Sequence, residues 1–114
     1  MIRLALMALA AMALGACALQ QGEQAALYDQ LQEQDVRMAA ATLQRSLEQG
    51  RSGETLSWRN VATGAKGSLT PQRTMLTAEG YYCRDYDETI VVAGRSGQWR
   101  HTACRNKDGR WVWI

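Results

Sequence analysis

Tyr81-Tyr82-Cys83-Arg84-Asp85-Tyr86-Asp87-Glu88-Thr89-Ile90-Val91-Val92-Ala93-Gly94-Arg95-Ser96-Gly97-Gln98-Trp99-Arg100-His101-Thr102-Ala103-Cys104-Arg105-Asn106-Lys107-Asp108-Gly109-Arg110-Trp111-Val112-Trp113-Ile114 is a stretch of short β-rich runs cut by Gly and Asp punctuation, with no helical period. Residues 81–84, 89–93, 98–105 and 110–114 read as strands. Asp85 to Glu88 reads as an acidic turn, Gly94 to Gly97 as a second, and Asn106-Lys107-Asp108-Gly109 as a tight hairpin turn. Cys83-Arg84 and Cys104-Arg105 each end a strand ahead of an acidic turn, so the stretch carries an internal echo. In a flat meander that segmentation puts the two cysteine strands two positions apart, about 9.5 Å, beyond the roughly 7 Å limit for a disulfide. Either the sheet coils strongly, or the strand order brings the cysteines together, or the thiols stay free.

Upstream the same grammar begins at Thr55. Leu56 and Trp58 alternate with polar neighbours, Ala62-Thr63-Gly64-Ala65 supplies a turn, Ser68 to Thr70 pairs back, and Pro71 is expected to end that strand. Arg73 to Thr77 then opens the next pair, for five or six strands in all. Before Thr55 the period changes to helical. Val36, Ala40, Leu43 and Leu47 form a stripe expected to cover a sheet, with Asp35 as N-cap and Gly50 as the stop, so the helix is expected over about residues 35–49. Leu27, Leu31 and Met38 fall on the opposite side of the wheel. The Gln- and Ala-rich stretch from Ala18 to Gln34 has the composition of a solvated tether or a marginal helix, expected to space the domain from the membrane. The fold expected is α+β: one amphipathic helix on an antiparallel, strongly twisted sheet of five or six strands.

The N-terminus carries a different kind of signal. Arg3 precedes an apolar run, Leu4 to Leu14, that is too short to span a bilayer, and the run closes on Leu14-Gly15-Ala16-Cys17. This is the layout of a bacterial lipoprotein leader, cleaved before an acylated Cys17. Residues 1–16 are therefore expected to be a signal peptide, 17–34 a lipidated N-terminus and tether, and 35–114 the domain. The anchor expected is acyl chains on Cys17, at the outer membrane, since Ala18 is not the Asp associated with inner-membrane retention. The full chain of 114 residues has a formal net charge of +2, and cleavage removes Arg3 to leave +1. Such a balance lacks the basic excess of a nucleic-acid binder. In an exported chain the remaining cysteines, Cys83 and Cys104, are expected to form a disulfide.

Several phrases in order carry a resemblance. Leu43-Gln44-Arg45-Ser46-Leu47-Glu48 with Gly50-Arg51-Ser52-Gly53-Glu54, Trp58-Arg59-Asn60 with Thr63-Gly64, Gly67-Ser68-Leu69-Thr70-Pro71, Gly80 with Cys83-Arg84-Asp85-Tyr86, Gly94, Thr102-Ala103-Cys104-Arg105, and Asp108-Gly109-Arg110-Trp111 together span about residues 35–114. The chain resembles the bacterial surface-antigen lipoproteins named after the rickettsial seventeen-kilodalton surface antigen. Many members place a Gly-rich apolar segment between lipid and domain, where this chain has Gln and Ala. The resemblance implies an outer-membrane, lipid-anchored protein with no known enzymatic activity, and it supplies no catalytic residues.

His101 is the only histidine, and with both domain cysteines oxidised it has no thiol to activate, so the chain is expected not to be an enzyme. Asp85, Asp87 and Glu88, with Asp108 in the echo, are oxygen ligands at short spacing but lack an EF-hand arrangement; no metal or other cofactor is expected. Trp111 and Trp113, flanked by Arg110, would make a platform for sugar rings or anionic glycan if they faced solvent. Alternation puts Val112 and Ile114 on the other face, which suggests burial on both sides. A non-enzymatic structural or interaction role in the envelope is thus the primary expectation. The alternative is a module for peptidoglycan or lipopolysaccharide built on Trp111, Trp113 and Arg110. The partners expected are the membrane, through Cys17, and an envelope glycan or protein; composition gives no oligomeric state.

Overall fold

The computed structural model of the chain describes residues 22–114, so Cys17 and the leader lie outside the described residues. It contains a short helix α1 (residues 22–29) and a longer helix α2 (Glu33–Gln49). The strands are β1 (Leu56–Arg59), β2 (Lys66–Leu76), β3 (Tyr82–Val92), β4 (Arg95–Arg105) and β5 (Trp111–Trp113). All pair antiparallel in the order β1-β2-β3-β4-β5, a plain meander with the helices on one face. The α+β architecture is the one expected.

The segmentation differs at one decisive place. Asp85 to Glu88 is not a turn: β3 runs unbroken through it, with Asp85, Tyr86, Asp87 and Glu88 opposite Thr102, His101, Arg100 and Trp99. Acidic residues are poor strand formers by propensity, but here each carboxylate has a use on its own face. Asp87 accepts from Arg100 Nε (2.7 Å) and from Gln72 Nε2 (3.1 Å), and Asp85 accepts from Thr102 (2.7 Å), all on the open face of the sheet. Glu88 turns inward and is buried. With β3 continuous, Cys83 faces Cys104 directly across the β3–β4 ladder, their Cα atoms 4.0 Å apart, and they form the disulfide. Neither coiling nor reordering of strands is needed. The turn expected over residues 94–97 is instead a two-residue connection, in which Ala93 (φ 51) and Gly94 (φ 74) both take the left-handed conformation of a tight hairpin.

Pro71 does not end its strand either. β1 pairs β2 only from Lys66 to Leu69, so at Pro71 one side of β2 has no strand partner and the missing N–H breaks no ladder bond. A shift in register between Pro71 and Thr74 absorbs the irregularity, and the two short strands expected there are one. The count is therefore five.

The long helix starts two residues earlier than expected. Gln32 is the cap, and Asp35, in the first turn, accepts from the Gln32 backbone N–H (2.9 Å). Its other oxygen accepts from Asn60 Nδ2 and Thr63 Oγ1, both at 2.7 Å, which pins the start of α2 to the β1–β2 turn. The face turned to the sheet is Asp35, Thr42, Ser46 and Leu47; Val36 and Ala40, expected on the buried stripe, face solvent. This rotation lets Met38 and Ala39 join Leu27, Leu31 and Tyr28 around Trp58, Ala65, Ile90 and Val92, so α1 packs on one end of the sheet. Of the two alternatives for the Gln- and Ala-rich stretch, tether or marginal helix, residues 22–29 take the helix. A second cluster of Leu47, Leu69, Tyr86, Ala103 and Trp111 lies under α2, with Leu43 at its margin. With no Phe in the chain, Trp58 and Trp111 supply much of the core volume.

Two outcomes follow from this frame. Burial alone raises the Asp35 carboxyl, but the hydrogen bonds from Thr63, Gln32 and Asn60 outweigh it and hold it below the ordinary aspartate range. Its stabilisation is therefore present above that range and is lost as pH falls through the depressed value; Asp35→Ala should cost about 2–3 kcal/mol near neutrality and flatten the acid limb of urea unfolding measured against pH. Replacing Cys83 and Cys104 together by Ser should cost about 3 kcal/mol in the same assay, by the loop-closure argument. In the unreduced wild type, neither cysteine should alkylate under denaturing conditions.

Candidate functional site

Alternation along β4 turns Gly97, Trp99, His101 and Ala103 toward the helices. β5 lies beside the end of β4 and pairs only with Ala103 to Arg105, which sets Trp113 opposite Ala103 and Trp111 opposite Arg105. From Arg95 to Arg100 that edge of β4 has no strand partner among the described residues. Helix α1 crosses above it, and Gly97 is the residue that permits the crossing: a Cβ there would run into the indole of Trp99 and Cδ1 of Leu27. Between helix and strand lies a groove of about 650 Å³ with Gln24, Leu27, Trp99, Arg95, Arg100 and His101 among its walls.

A polar cluster closes the inner side of this groove. Glu88 is 5% exposed and accepts a hydrogen bond from the Tyr28 hydroxyl. His101 Nε2 lies 3.6 Å from the same carboxylate oxygen and 2.9 Å from Gln24 Nε2. The imidazole is stacked on Trp113, ring centres 5.0 Å apart and planes 12° apart, and sits 5.5 Å from Tyr86. Tyr28 in turn stacks on Trp99 at 5.9 Å. Burial, then the hydrogen bond to Glu88, pushes the Tyr28 hydroxyl far above its ordinary value, and burial and the charge of Glu88 do the same to Tyr86. Both phenols therefore stay protonated; that of Tyr28 donates to Glu88, while that of Tyr86 has no hydrogen-bond partner among the described residues. The arrangement can hold a small polar or ring-shaped group against aromatic faces. For acyl transfer it would need a nucleophile beside His101, and the partners of that ring are an amide, a carboxylate and aromatic rings.

The three residues expected to form a glycan platform are not brought together. Trp111 is buried under α2, its indole N–H donating to Glu48 (2.8 Å) and its backbone bonded to the Gln44 side chain through both N–H and C=O. Arg110 is exposed and lines a separate depression along α2 with Arg37, Gln44 and Arg45. Trp113 alone is available, at 56% exposure, on the groove side. Val112 and Ile114, expected to be covered, are 44% and 82% exposed on the open face, where no layer of the described residues packs. Asp85, Asp87, Glu88 and Asp108 are separated too: two point to the open face, one inward, and Asp108 sits in the last hairpin turn. Among the described residues no three His, Cys, Asp or Glu side chains converge as metal ligands.

Sequence reasoning passed over Gln24 and Tyr28 and weighed Glu88 only as an oxygen ligand beside Asp85 and Asp87. The first two lay in what read as a spacer and the third in what read as a turn, and an alternation starting from Cys83 is the signal that would have placed Glu88 inward with Tyr86 and Ile90.

The comparisons with known proteins agree with this architecture in extent. A sequence model of the family described as "17 kDa outer membrane surface antigen" matches residues 45–112, from the second half of α2 to β5. The 17 kDa surface antigens of Rickettsia conorii and Rickettsia rickettsii are each 42% identical over 81 residues, covering 71% of this chain and 51% of theirs. That of Rickettsia prowazekii is 40% identical over 79 residues, 69% of this chain and 50% of its own. The chain spans about half the length of the curated relatives it matches. No solved structure matches it significantly. The matched region carries both cysteines, the unbroken β3 and, of the residues that fasten α2, Asn60, Thr63 and Arg84, and on it the chain belongs to the family of 17 kDa outer membrane surface antigens.

Proposed function

We propose that this chain is a lipid-anchored, non-enzymatic envelope protein, held to the outer membrane by acyl chains on Cys17, whose α+β domain is an interaction module. The observation that carries the reading is Leu14-Gly15-Ala16-Cys17 closing a short apolar run in a chain whose family is described as an outer membrane surface antigen. Among the described residues no helix is long and apolar enough to cross a membrane, so that part supplies no helical anchor of its own. Residue 22 lies five positions after Cys17, a span of at most ~18 Å even if fully extended. That limit keeps α1, and the groove it helps to form, close to the lipid surface. The non-enzymatic part is supported by the surroundings of His101, which touches no serine or thiol, and by the disulfide that occupies Cys83 and Cys104.

A second reading, glycan binding, is favoured by one observation: Trp113 is half exposed and stacked on His101, which lines the groove together with Trp99 and Gln24. It relocates the platform from Trp111, Trp113 and Arg110 to Trp113 and the groove wall.

Intact mass of the exported protein should show loss of residues 1–16 together with added acyl chains, and Cys17→Ala should abolish both; an unacylated wild type would overturn the anchor. For the second reading, titration of the mature protein with soluble peptidoglycan fragments should perturb tryptophan fluorescence. Trp113→Ala should weaken that binding roughly tenfold while Trp111→Phe leaves it unchanged.

A further inference from the structure

Arg84 is the one buried cation among the described residues, 7% exposed, and no carboxylate there pairs with it. Its Nη1 donates to the backbone carbonyls of Leu47 and Gly50, both at 2.8 Å, and more weakly to that of Ser46 at 3.5 Å. Ser46 already accepts the Gly50 backbone N–H, whereas the Leu47 and Gly50 carbonyls lie past the last intrahelical bond, where the negative end of the helix dipole favours a cation. One nitrogen suffices for that task. The other edge of the guanidinium, Nε with Nη2, makes no hydrogen bond among the described residues, and Nε is buried without an acceptor.

That edge is the one with two parallel N–H donors at the spacing of a carboxylate or phosphate. The same molecule shows it in use: Arg100 grips Asp87 with Nε on one oxygen at 2.7 Å and Nη2 on the other at 3.1 Å. Arg84 has no such acid. Instead it lines a pocket of about 380 Å³ between the end of α2 and the ends of β2, β3 and β5, together with Thr74, Tyr82, Arg105, Glu48 and Trp111. Glu48 spends its charge on Arg105 Nε (2.9 Å) and on the Trp111 indole N–H (2.8 Å), so the pocket holds two cations against one carboxylate. Arg105 and Glu48 are each less than half exposed. Thr74, the cross-strand partner of Arg84, and Tyr82 also line it.

We propose that this pocket is an anion-binding site, in which Arg84 takes a carboxylate or phosphate group on its free edge and Arg105 serves as the second cation. The site is separate from the groove beside Trp113 and stands whether or not Cys17 is acylated. A cap for α2 needs only a donor aimed at the carbonyls, which a lysine also provides. An arginine adds a planar fork that a helix end does not use. In an envelope the fitting group comes from either of two sources, the carboxylate of a peptide or the phosphate of a lipid headgroup.

The test uses the mature protein in detergent and follows the Arg84 Nε–H resonance by nitrogen-edited NMR during titration with potassium phosphate and with sodium acetate, against potassium chloride at equal ionic strength. Saturable displacement of that resonance by phosphate or acetate, and not by chloride, is the expected result. Arg105→Gln should weaken it about threefold and Arg84→Lys, which keeps the charge and a donor for the carbonyls, at least about tenfold. Should Arg84→Lys fail to fold, the wild-type resonance and Arg105→Gln decide. No saturation, or a response equal to that of chloride, or no effect of Arg105→Gln overturns the site. Competition then separates the sources: displacement by phosphatidic acid presented in phosphatidylcholine vesicles points to a headgroup phosphate, and displacement by a soluble muramyl peptide points to a peptide carboxylate.

Discussion

Strand β3 has a partner along each side, and because successive side chains alternate between faces, five of its residues are forced toward the helices: Arg84, Tyr86, Glu88, Ile90 and Val92. Each holds a different part of the molecule. Arg84 takes the carbonyl end of α2, Tyr86 fills the core beneath that helix, Glu88 receives the hydroxyl of Tyr28 from α1, and Ile90 and Val92 support Trp58 and Leu27. A slip of one residue in the register would send all five to the open face and bring Asp85 and Asp87 inside, so the pairing of this strand is the constraint on which both helices depend. The disulfide between Cys83 and Cys104 fixes the register of β3 and β4 at one end, where the ladder is about to stop.

The long helix is held by polar contacts at its two ends and by few apolar ones between. At its start Asp35 gathers the Gln32 N–H and the side chains of Asn60 and Thr63, and at its finish Arg84 gathers carbonyls. Unpaired, these buried groups would each be destabilising, and together they orient the helix more specifically than a stripe of leucines would. This explains why the face turned to the sheet is Asp35, Thr42, Ser46 and Leu47, while Val36 is left in solvent. Polar fasteners of this kind also leave residues with unused hydrogen-bonding capacity, as at Arg84.

The uncovered face of the sheet carries a ladder of exposed ion pairs and hydrogen bonds between β2, β3 and β4, including Arg73 with Asp85 at 3.5 Å and Arg100 with Asp87 at 2.7 Å. Pairs this open to water add little stability, but they let acidic residues sit in a strand without repelling one another. The candidate surfaces lie elsewhere. The groove between α1 and β4 and the pocket at the end of α2 are both on the helix side, at places where a helix leaves part of the sheet uncovered.

By itself the sequence determined the fold class, the antiparallel sheet, the final hairpin turn and the family, because turn chemistry, alternation and an ordered set of phrases are local properties of the chain. It left open which of the four tryptophans fill the core; Trp58 and Trp111 do, while Trp113 stays half exposed. It misread Asp85 to Glu88 and Pro71 as strand ends, since acidic residues and proline are turn signals whenever their partners are unknown. Only the tertiary structure decided that Arg100, Gln72 and Thr102 stand opposite those carboxylates, that Pro71 has a strand partner on one side alone among the described residues, and hence that five strands suffice and the cysteines are neighbours. The candidate sites were legible only in part, through Trp113 and His101. Glu88, Tyr28, Gln24 and the free edge of Arg84 acquire meaning from groups 34 to 77 positions away in the chain, and a side chain's partner across such a distance is set by packing, not by spacing.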